Sequence, residues 1–248
     1  MPQLGGYDFS APAEICTFNA LLFDMDGTII DSTAAIVKLW EQIGRDIGVD
    51  HNVILATSHG RRSIDVLGIL DPSRANWEYV CAAEGAIPKK YGQDAVEIAG
   101  ARDLLAKLEG VGAPWAIVTS GTRPLVGGWL DVMSLAQPEH LVTAELVARG
   151  KPDPACYRLG AKKLGFVYAD DEATDDKILV LEDAPAGVRA GKAAGFKVVA
   201  LATTHEVQQL IDAGADWIVQ DMRSVTLAGW DANAAQVQIK ISNALVKA

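Results

Sequence analysis

The sequence predicts an α/β fold, in which a parallel sheet carries a helical segment inserted after its first strand. Three observations predict it. Short apolar runs end abruptly in polar or turn residues, which is typical of strands buried on both faces. From residue 100 onward such runs alternate with helical patterns, as expected of βα units. Between residues 32 and 99 the apolar residues recur near helical spacing, and no strand pattern interrupts them.

The first predicted strand, Ala20 to Phe23, ends in two aspartates that we interpret as part of a site. Ligands bind at the carboxyl edge of a parallel sheet, so the chain carries Asp24 and Asp26 to that edge. Residues two apart in a strand point to the same face, so carboxylates at positions 24 and 26 can face one pocket where the strand ends. The turn that Gly27 permits would allow this arrangement.

Two carboxylates at this spacing suggest phosphoryl transfer through a covalent intermediate. An ionised carboxylate can attack phosphorus or ligate a hard cation, while a better shielded one can hold a proton for the leaving group. Aspartate and glycine are also ordinary turn residues, so the motif alone leaves an Asp-rich turn or a helix cap open. The interpretation therefore depends on partners elsewhere in the chain.

The segment that follows, from residue 32 to 99, is predicted to be a helical lid. Its helical patterns start at Ser32 and continue through Asn52 to Ala56, Arg61 to Leu70 and Trp77 to Tyr91. A wholly helical insert in an alternating fold is best explained as a separate unit. We therefore divide the chain into an α/β core of residues 1–31 and 100–248 and a helical lid of residues 32–99.

From residue 100 the chain is predicted to alternate between helices and strands. Helices are expected at Ala101–Leu108, Pro124–Met133, Pro154–Leu164, Ala186–Ala194 and Glu206–Asp212. Strands are expected at Trp115–Val118, Leu141–Thr143, Ile178–Leu181, Lys197–Leu201 and Trp217–Val219. This order implies a parallel sheet with right-handed crossovers. We also expect the acidic loop Asp170–Asp176 to face solvent, and the alternating residues Val237, Ile239 and Ile241 to add an edge strand.

Three further motifs accompany the aspartates, in a fixed order along the chain. A hydroxyl-bearing stretch, Thr119-Ser120-Gly121, follows the second core strand. Lys151 lies before a helix start, and the acidic pair Glu182-Asp183 ends a third strand. Together with the two aspartates, these motifs resemble those of the haloacid dehalogenase superfamily of phosphohydrolases, in the order that the family has. The resemblance covers nearly the whole chain and implies a Rossmann-like core under a helical cap.

The flanks of these motifs narrow the resemblance to a subgroup. Ser58-His59-Gly60, Thr119 to Thr122 and Glu182 to Gly187 are similar to the fungal glycerol-phosphate and 2-deoxyglucose-6-phosphate phosphatases. Such a phosphatase has its substrate selected by the cap, since the core motifs contact only the phosphate and the reacting atoms. The sequence therefore predicts that specificity is determined within residues 32–99.

The resemblance implies a catalytic role for each motif. Asp24 would be the nucleophile, Asp26 the general acid and base, and Lys151 the cation that neutralises charge between nucleophile and phosphate. The implied cofactor is Mg²⁺, a hard cation that prefers oxygen ligands. Its candidate ligands are Asp24, Asp26 through its backbone carbonyl, Asp183 and Glu182, with direct ligation by Glu182 left open. A role of Asp24 as metal ligand alone is the competing interpretation.

The substrate contacts are expected on both sides of the site. Thr119 and the backbone N–H of Ser120 would hold phosphate oxygens, with Gly121 and Arg123 beside them. In the helical segment the candidates are His59, Arg61, Arg62, Lys89 and Lys90, and the similarity to the fungal phosphatases favours Arg62. A single Arg or Lys is more often a surface charge, and a single His is equally often structural.

Composition excludes several other function classes. The net charge of −10 argues against binding to nucleic acid or to an anionic membrane surface. No apolar run approaches the roughly 20 residues of a membrane helix, and Met1 to Glu14 lacks a signal-peptide pattern. Three cysteines without metal-ligand spacing indicate reduced thiols. We therefore expect a cytoplasmic monomer with a loosely held N-terminal arm, acting on a small molecule.

The function that we predict is hydrolysis of a small polyol or sugar phosphate, of the glycerol phosphate or 2-deoxyglucose 6-phosphate class, through an aspartyl phosphate. Two alternatives remain. A sugar phosphomutase of the same superfamily would carry a histidine in the first cap helix, where this chain has Ile36. A regulator that binds phosphate without turnover is disfavoured by the intact catalytic motifs.

Overall fold

The computed structural model describes residues 5–58, 60–166 and 177–246. In chain order, the strands are β1 (Glu14–Phe18), β2 (Ala20–Phe23), β3 (Ile30–Asp31), β4 (Val96–Glu97), β5 (Trp115–Val118), β6 (His140–Val142), β7 (Ile178–Glu182), β8 (Lys197–Leu201), β9 (Trp217–Val219), β10 (Val225–Asp231) and β11 (Gln236–Ile241). The α-helices are α1 (Thr33–Ile47), α2 (His51–Ser58), α3 (Ser63–Leu70), α4 (Trp77–Gly85), α5 (Ile87–Tyr91), α6 (Ala101–Val111), α7 (Arg123–Met133), α8 (Ala155–Lys163), α9 (Pro185–Ala193) and α10 (Val207–Asp212).

A parallel sheet lies at the centre of the described chain. Its six strands follow the order β6-β5-β2-β7-β8-β9, and every neighbouring pair is parallel. All residues of β2, β5 and β7 are buried, because helices cover both faces of the sheet. The predicted α/β fold is confirmed, and its central strands are the three that carry site motifs at their ends.

Helices α1–α5, which we call the helical segment, lie between β3 and β4. These two short strands pair antiparallel, with Ile30 opposite Glu97, so the segment leaves and rejoins the rest of the chain at one place. Helix α1 buries an apolar stripe that includes Leu39, Trp40 and Ile43, as its spacing predicts. The division of the chain at residues 31 and 100 remains a prediction.

The helical segment packs closely on α7 at two glycines. A Cβ atom on Gly85 would lie 2.7 Å from Cβ of Pro124, and one on Gly128 would lie 2.7 Å from Cγ of Pro88. Larger side chains at either position would push the two helical layers apart. The segment is therefore seated directly over the carboxyl edge of the sheet.

The chain termini differ from the prediction. The alternation at Val237, Ile239 and Ile241 does form a strand, β11, but β11 lies between β1 and β10 at the centre of a separate antiparallel sheet of the described chain, and not at an edge. The expectation of a loose N-terminal arm is wrong for its described part, since Asp8 and Ala11 bond to the backbone of residues 244–246. The partners at the N-terminal side, β1 and residues 8–11, are distant in sequence from the segments they pair with, whereas β10 and β11 are consecutive strands. The acidic loop Asp170–Asp176 lies outside the described residues.

No helix among the described residues combines the length and the apolar character that a bilayer span requires.

Candidate active site

The sheet brings the predicted motifs to one edge. Strands β5, β2 and β7 are neighbours, so Thr119, Asp24 and Asp183, which follow or end these strands, meet at a common edge. A cavity of about 80 Å³ lies between this edge and the helical segment. On the sheet side it is lined by Asp24, Asp26, Thr119, Ser120, Gly121 and Asp183. On the helical side it is lined by Ile36, Leu39, Trp40, Arg61, Ser63 and Glu84.

Lys151 binds two of the acids directly. Its Nζ lies 2.5 Å from Oδ1 of Asp24 and 2.6 Å from Oε1 of Glu182, and it also donates to the backbone oxygen of Val118 at 3.3 Å. Burial acts to lower the pKa of Lys151, but the charges of Asp24 and Glu182 outweigh it and raise that pKa above its ordinary value. The lysine therefore stays charged in a position where it neutralises the first aspartate.

Asp24 lies in an acidic cluster whose negative charge exceeds the positive charge of its lysine. One carboxylate oxygen from each of Asp24, Glu182 and Asp183 lies within 4.8 Å of the others. Burial, together with the charge of Glu182, acts to raise the pKa of Asp24, and Lys151 opposes this shift. An oxygen-only donor set with an excess of negative charge fits a hard divalent cation. The structure thus provides a buried acidic cluster with the donor chemistry that a metal site needs.

Glu182 and Asp183 are adjacent in sequence but differ in their surroundings. Oε1 of Glu182 accepts from Lys151 and from the Tyr157 hydroxyl at 2.8 Å, while Oε2 accepts from the backbone N–H groups of Asp183 and Ala184, each at 2.9 Å. Both oxygens are thus engaged within the protein. Asp183 instead lines the cavity and accepts from hydroxyls, those of Thr204 and, at 3.4 Å, of Thr28.

The turn after β2 places Asp26 beside these groups. Gly27 has a φ of 91°, and a Cβ atom on it would lie 2.2 Å from Oδ2 of Asp183, so only glycine fits both the conformation and the space. Oδ1 of Asp26 accepts a 2.5 Å hydrogen bond from the Ser32 hydroxyl. Burial raises the pKa of Asp26 above its ordinary value, although the hydrogen bond from Ser32 opposes the shift, so its protonated form is favoured relative to that of an exposed aspartate.

The hydroxyl-bearing loop after β5 also faces the cavity. Thr119 is buried, and its Oγ1 accepts from the backbone N–H of Gly121 at 2.9 Å, which fixes the loop. The Ser120 hydroxyl donates to the backbone oxygen of Gly60 at 2.9 Å and so ties this loop to the helical segment. Thr119, Ser120 and Gly121 are therefore brought together with the acids, as the motif order predicts.

Arg62 points away from the cavity lining. Its guanidinium pairs with Asp65 at 2.7 and 2.8 Å and donates to the backbone oxygens of Ala144, Val147 and Ala148 at 3.3, 2.7 and 3.2 Å. These carbonyls belong to the segment after β6, so Arg62 joins α3 to the sheet side of the molecule. The neighbouring Arg61 lines the cavity instead.

The structure does not bring the other predicted cations to the cavity. Lys89 and Lys90 on α5 are exposed and are not among its lining residues. The side chain of Arg123 is also exposed, and its backbone N–H donates to Glu145. His59 lies outside the described residues.

Sequence reasoning missed a buried acid on the helical side. Glu84 on α4 is 4% exposed and lines the cavity. Its Oε1 accepts from the Ser63 hydroxyl at 2.5 Å and its Oε2 from the backbone N–H of Thr122 at 2.8 Å. Burial raises the pKa of Glu84 to about 7. The available signal was spacing, since Val80, Glu84 and Ile87 recur at the interval of a buried helical stripe.

The comparisons with known proteins agree with this geometry. A family model described as haloacid dehalogenase-like hydrolase matches residues 18–195. The chain is 40% identical over 223 residues to glycerol-1-phosphate phosphohydrolase 1 of Saccharomyces cerevisiae, covering 89% of each chain. It is 33% identical over 248 residues to 2-deoxyglucose-6-phosphate phosphatase 1 of the same yeast, covering 95% of this chain and 98% of the yeast protein.

A solved structure matches at the level of the whole fold. A HAD family hydrolase from Deinococcus radiodurans, determined with bound phosphate and sodium, superposes with a TM-score of 0.60. It is 26% identical in sequence, and the match covers 83% of this chain and 92% of that chain. Sequence and architecture therefore point to the same group of proteins.

Proposed function

The chain belongs to the haloacid dehalogenase-like hydrolases, and from that membership we propose that it is a phosphatase of small polyol or sugar phosphates. One observation carries the proposal. Asp24 and Asp26 line the same cavity, with Lys151 bonded to the first and a hydroxyl-bearing loop beside both. This is the arrangement that covalent phosphoryl transfer requires: a nucleophile, a proton carrier and positive charge at one place.

The size of the cavity favours a small leaving group. A cavity of about 80 Å³ has room for only a few water-sized groups. A glycerol moiety fits this space better than a hexose does while the helical segment is seated as described. We therefore propose glycerol phosphate as the preferred substrate and 2-deoxyglucose 6-phosphate as the weaker one.

In the first step, the carboxylate of Asp24 would attack the phosphorus. The new bond joins an Asp24 oxygen to phosphorus while the bond from phosphorus to the ester oxygen breaks. Asp26 would give its proton to the departing alkoxide, and burial, which raises its pKa, favours the protonated form that this step needs. Lys151, at 2.5 Å from Asp24, keeps charge at the nucleophile balanced throughout.

In the second step, water would hydrolyse the aspartyl phosphate. Asp26, now ionised, takes a proton from the water as the water oxygen bonds to phosphorus. The bond between phosphorus and Asp24 then breaks, which frees the carboxylate and inorganic phosphate. Thr119 and the loop of Ser120 and Gly121 would hold the phosphate oxygens through both steps, because all three line the cavity.

We propose that the acidic cluster binds Mg²⁺. Asp24, Asp183 and the backbone oxygen of Asp26 would be its protein ligands, while Glu182, whose oxygens already accept four hydrogen bonds, would hold Lys151 and the backbone of Asp183 in place. When bound, such a cation neutralises phosphate charge and orients the ester for attack. The residues fit the ion because all donors are oxygens and negative charge is in excess.

Ile36 supports hydrolysis over phosphate transfer between sugar hydroxyls. It lies in the cavity wall at the position where a mutase of this superfamily is expected to carry a histidine. An isoleucine can neither take up nor release a proton. Arg62 is proposed to position the helical segment, and Lys90 and Arg123 to have no direct substrate contact, because none of the three lines the cavity.

Release of inorganic phosphate tests the proposal directly. Wild type should hydrolyse p-nitrophenyl phosphate and glycerol phosphate only with Mg²⁺ present, and Asp24→Asn should abolish both activities. Asp103→Asn, an acid on α6 that does not line the cavity, is the matched control and should leave both activities unchanged. Activity that survives both chelation and the Asp24 substitution would refute the proposed mechanism.

The proposal extends to compartment and assembly. Cys16, Cys81 and Cys156 are free, which fits the reducing cytoplasm. We propose a cytoplasmic enzyme that acts as a monomer on a small phosphate ester. Light scattering at working concentration measures the second point, and a dimer mass would contradict it.

A further inference from the structure

We propose that Glu84 determines leaving-group specificity: its carboxylate accepts hydrogen bonds from polyol hydroxyls and repels leaving groups that carry an anionic group of their own. The inference rests on the proposed phosphatase function and deepens it. It assigns the cavity to neutral, hydroxyl-bearing esters, and it separates them from alkyl phosphates and from phosphorylated acids.

The first argument is the hydrogen-bonding capacity of Glu84. A carboxylate offers about four acceptor positions and, when ionised, no donor. The Ser63 hydroxyl and the backbone N–H of Thr122 occupy one position on each oxygen. The remaining capacity lies on a cavity-lining group, where only a donor can use it. Alcohol hydroxyls are the neutral donors that a phosphorylated polyol carries.

The second argument is charge. Glu84 is almost fully buried, and within the described chain it forms no ion pair. Beyond the effect of burial, the negative charge of Asp26 lies close enough to raise the pKa of Glu84 further. Burial without a cation is costly for a carboxylate, which agrees with the upward shift of its pKa. A second carboxylate or phosphate brought next to it would add repulsion in a site with little water to screen it.

The third argument is the apolar wall of the cavity around Glu84. Ile36, Leu39 and Trp40 present an apolar surface in the same cavity. A polyol has carbon-bound hydrogens that such a surface can cover and hydroxyls that Glu84 and Ser63 can bind. Among the described residues that line this side of the cavity, Arg61 is the cation, and it would favour anionic leaving groups if its charge dominated. The substrate preference of the wild type therefore shows whether Glu84 or Arg61 dominates.

Three phosphate esters separate the contributions: glycerol phosphate, propyl phosphate, which lacks the hydroxyls, and 3-phosphoglycerate, which carries a carboxylate. The kcat/KM of each is measured at pH 8, where Glu84 is mostly ionised, for wild type, Glu84→Gln, Glu84→Ala and the control Glu78→Gln, an exposed acid on the same helix. Wild type should prefer glycerol phosphate over both others by at least about tenfold.

The two variants should change different ratios. Glu84→Gln keeps a hydrogen-bonding group but removes charge, so the rate on 3-phosphoglycerate should rise about tenfold relative to glycerol phosphate. Glu84→Ala removes both, so the rate on glycerol phosphate should fall by about 10²-fold while propyl phosphate changes little. Glu78→Gln should leave every ratio unchanged.

Several results would overturn the inference. An equal loss on all three esters would show that Glu84 only seats the helical segment through Thr122. A wild type that hydrolyses all three equally, or prefers 3-phosphoglycerate, would also refute it while leaving the phosphatase function intact. If no ester, including p-nitrophenyl phosphate, releases phosphate, the proposed function fails and the inference fails with it. If Glu84→Ala does not fold, the 3-phosphoglycerate ratio of Glu84→Gln decides.

Discussion

Replacing Glu84 by Gln should make the protein more stable, and increasingly so as the pH rises. The amide can keep both contacts of the carboxylate, since its oxygen can accept from the backbone N–H of Thr122 while its NH₂ donates to the Ser63 hydroxyl. What the substitution removes is a buried charge. The stability difference between the two proteins therefore reports the titration of this one group.

The magnitude follows from the pKa. Glu84 has a pKa of about 7 in the folded protein against an ordinary value of 4.5, so between these pH values the folded state holds a proton that the unfolded chain has released. Stability due to this group is thus fully present below about pH 4.5 and is lost as the pH rises towards 7. The shift corresponds to about 3 kcal/mol of unfolding free energy, or roughly 6–12 °C in Tm for a chain of this size.

Chemical unfolding at pH 5 and pH 8 measures the effect. The advantage of Glu84→Gln over wild type should be larger at pH 8 by most of that free energy, and Glu78→Gln, exposed on the same helix, should show no pH-dependent difference. An advantage that is equal at both pH values, or that shrinks as the pH rises, would refute the assignment of a raised pKa to this side chain.

Three further substitutions test other parts of the structure. Gly27→Ala should reduce kcat by at least about 10²-fold, because its Cβ would displace Asp183. Gly110→Ala is the control, since a Cβ there meets open space, and equal kcat values for the two variants would disprove the steric argument. Arg62→Ala should lower the free energy of unfolding by about 2–4 kcal/mol, because Arg62 is buried and binds Asp65 and backbone oxygens. Arg61→Ala should lower kcat/KM without affecting stability, because Arg61 lines the cavity. The reverse pattern would make Arg62 the substrate contact. Asp216→Asn should destabilise by about 1 kcal/mol at pH 7: partial burial acts to raise the pKa of Asp216, but Lys192 and the Val198 N–H outweigh it and lower that pKa. This loss should shrink as the pH falls below the ordinary value of 3.8 and through the lowered pKa, and a pH-independent loss would contradict it.

The parallel sheet and the meeting of the motifs could be predicted because both follow from local patterns. A buried strand identifies itself by a short apolar run, and a parallel sheet sends every strand's carboxyl end to one edge. Asp24, Thr119 and Asp183 each follow or end such a run, so their proximity follows without knowledge of any side-chain contact. The order of strands in the sheet adds only which of these motifs are nearest neighbours.

The place of β1 in the antiparallel sheet could not be predicted, because its pairing with β11 joins segments far apart in sequence, whereas β10 and β11 are consecutive strands. Residue Glu14 of β1 lies opposite Ile241 of β11, and no turn connects them. Alternation at Val237, Ile239 and Ile241 indicates a strand with one buried face, but alternation does not name the strand's neighbours. The partner strand β1 has a weak pattern of its own, since only Phe18 in it is buried.

The cap candidates show the same limit for function. A positive charge in a sequence indicates a possible phosphate contact, but the direction of the side chain decides whether it reaches the substrate. Arg61 and Arg62 are adjacent, yet one lines the cavity and the other binds backbone oxygens after β6. Glu84 shows the opposite case. A negative charge in a sequence does not indicate a phosphate contact, although the spacing from Val80 to Glu84 places both among the buried residues of α4.

The acidic pair at the end of β7 shows why two adjacent acids need not share a role. Successive residues leave a strand in opposite directions, so Glu182 turns towards Lys151 and Tyr157 while Asp183 turns towards the cavity. A Cβ atom on Gly187 would lie 1.6 Å from the Glu182 carboxylate, so α9 leaves room for this acid only because it carries a glycine there. The sequence therefore determines the position of Lys151, through Glu182 and Gly187, as well as the position of the nucleophile. A lysine that is held by a second acid stays beside Asp24 when the charge on that aspartate changes during phosphoryl transfer.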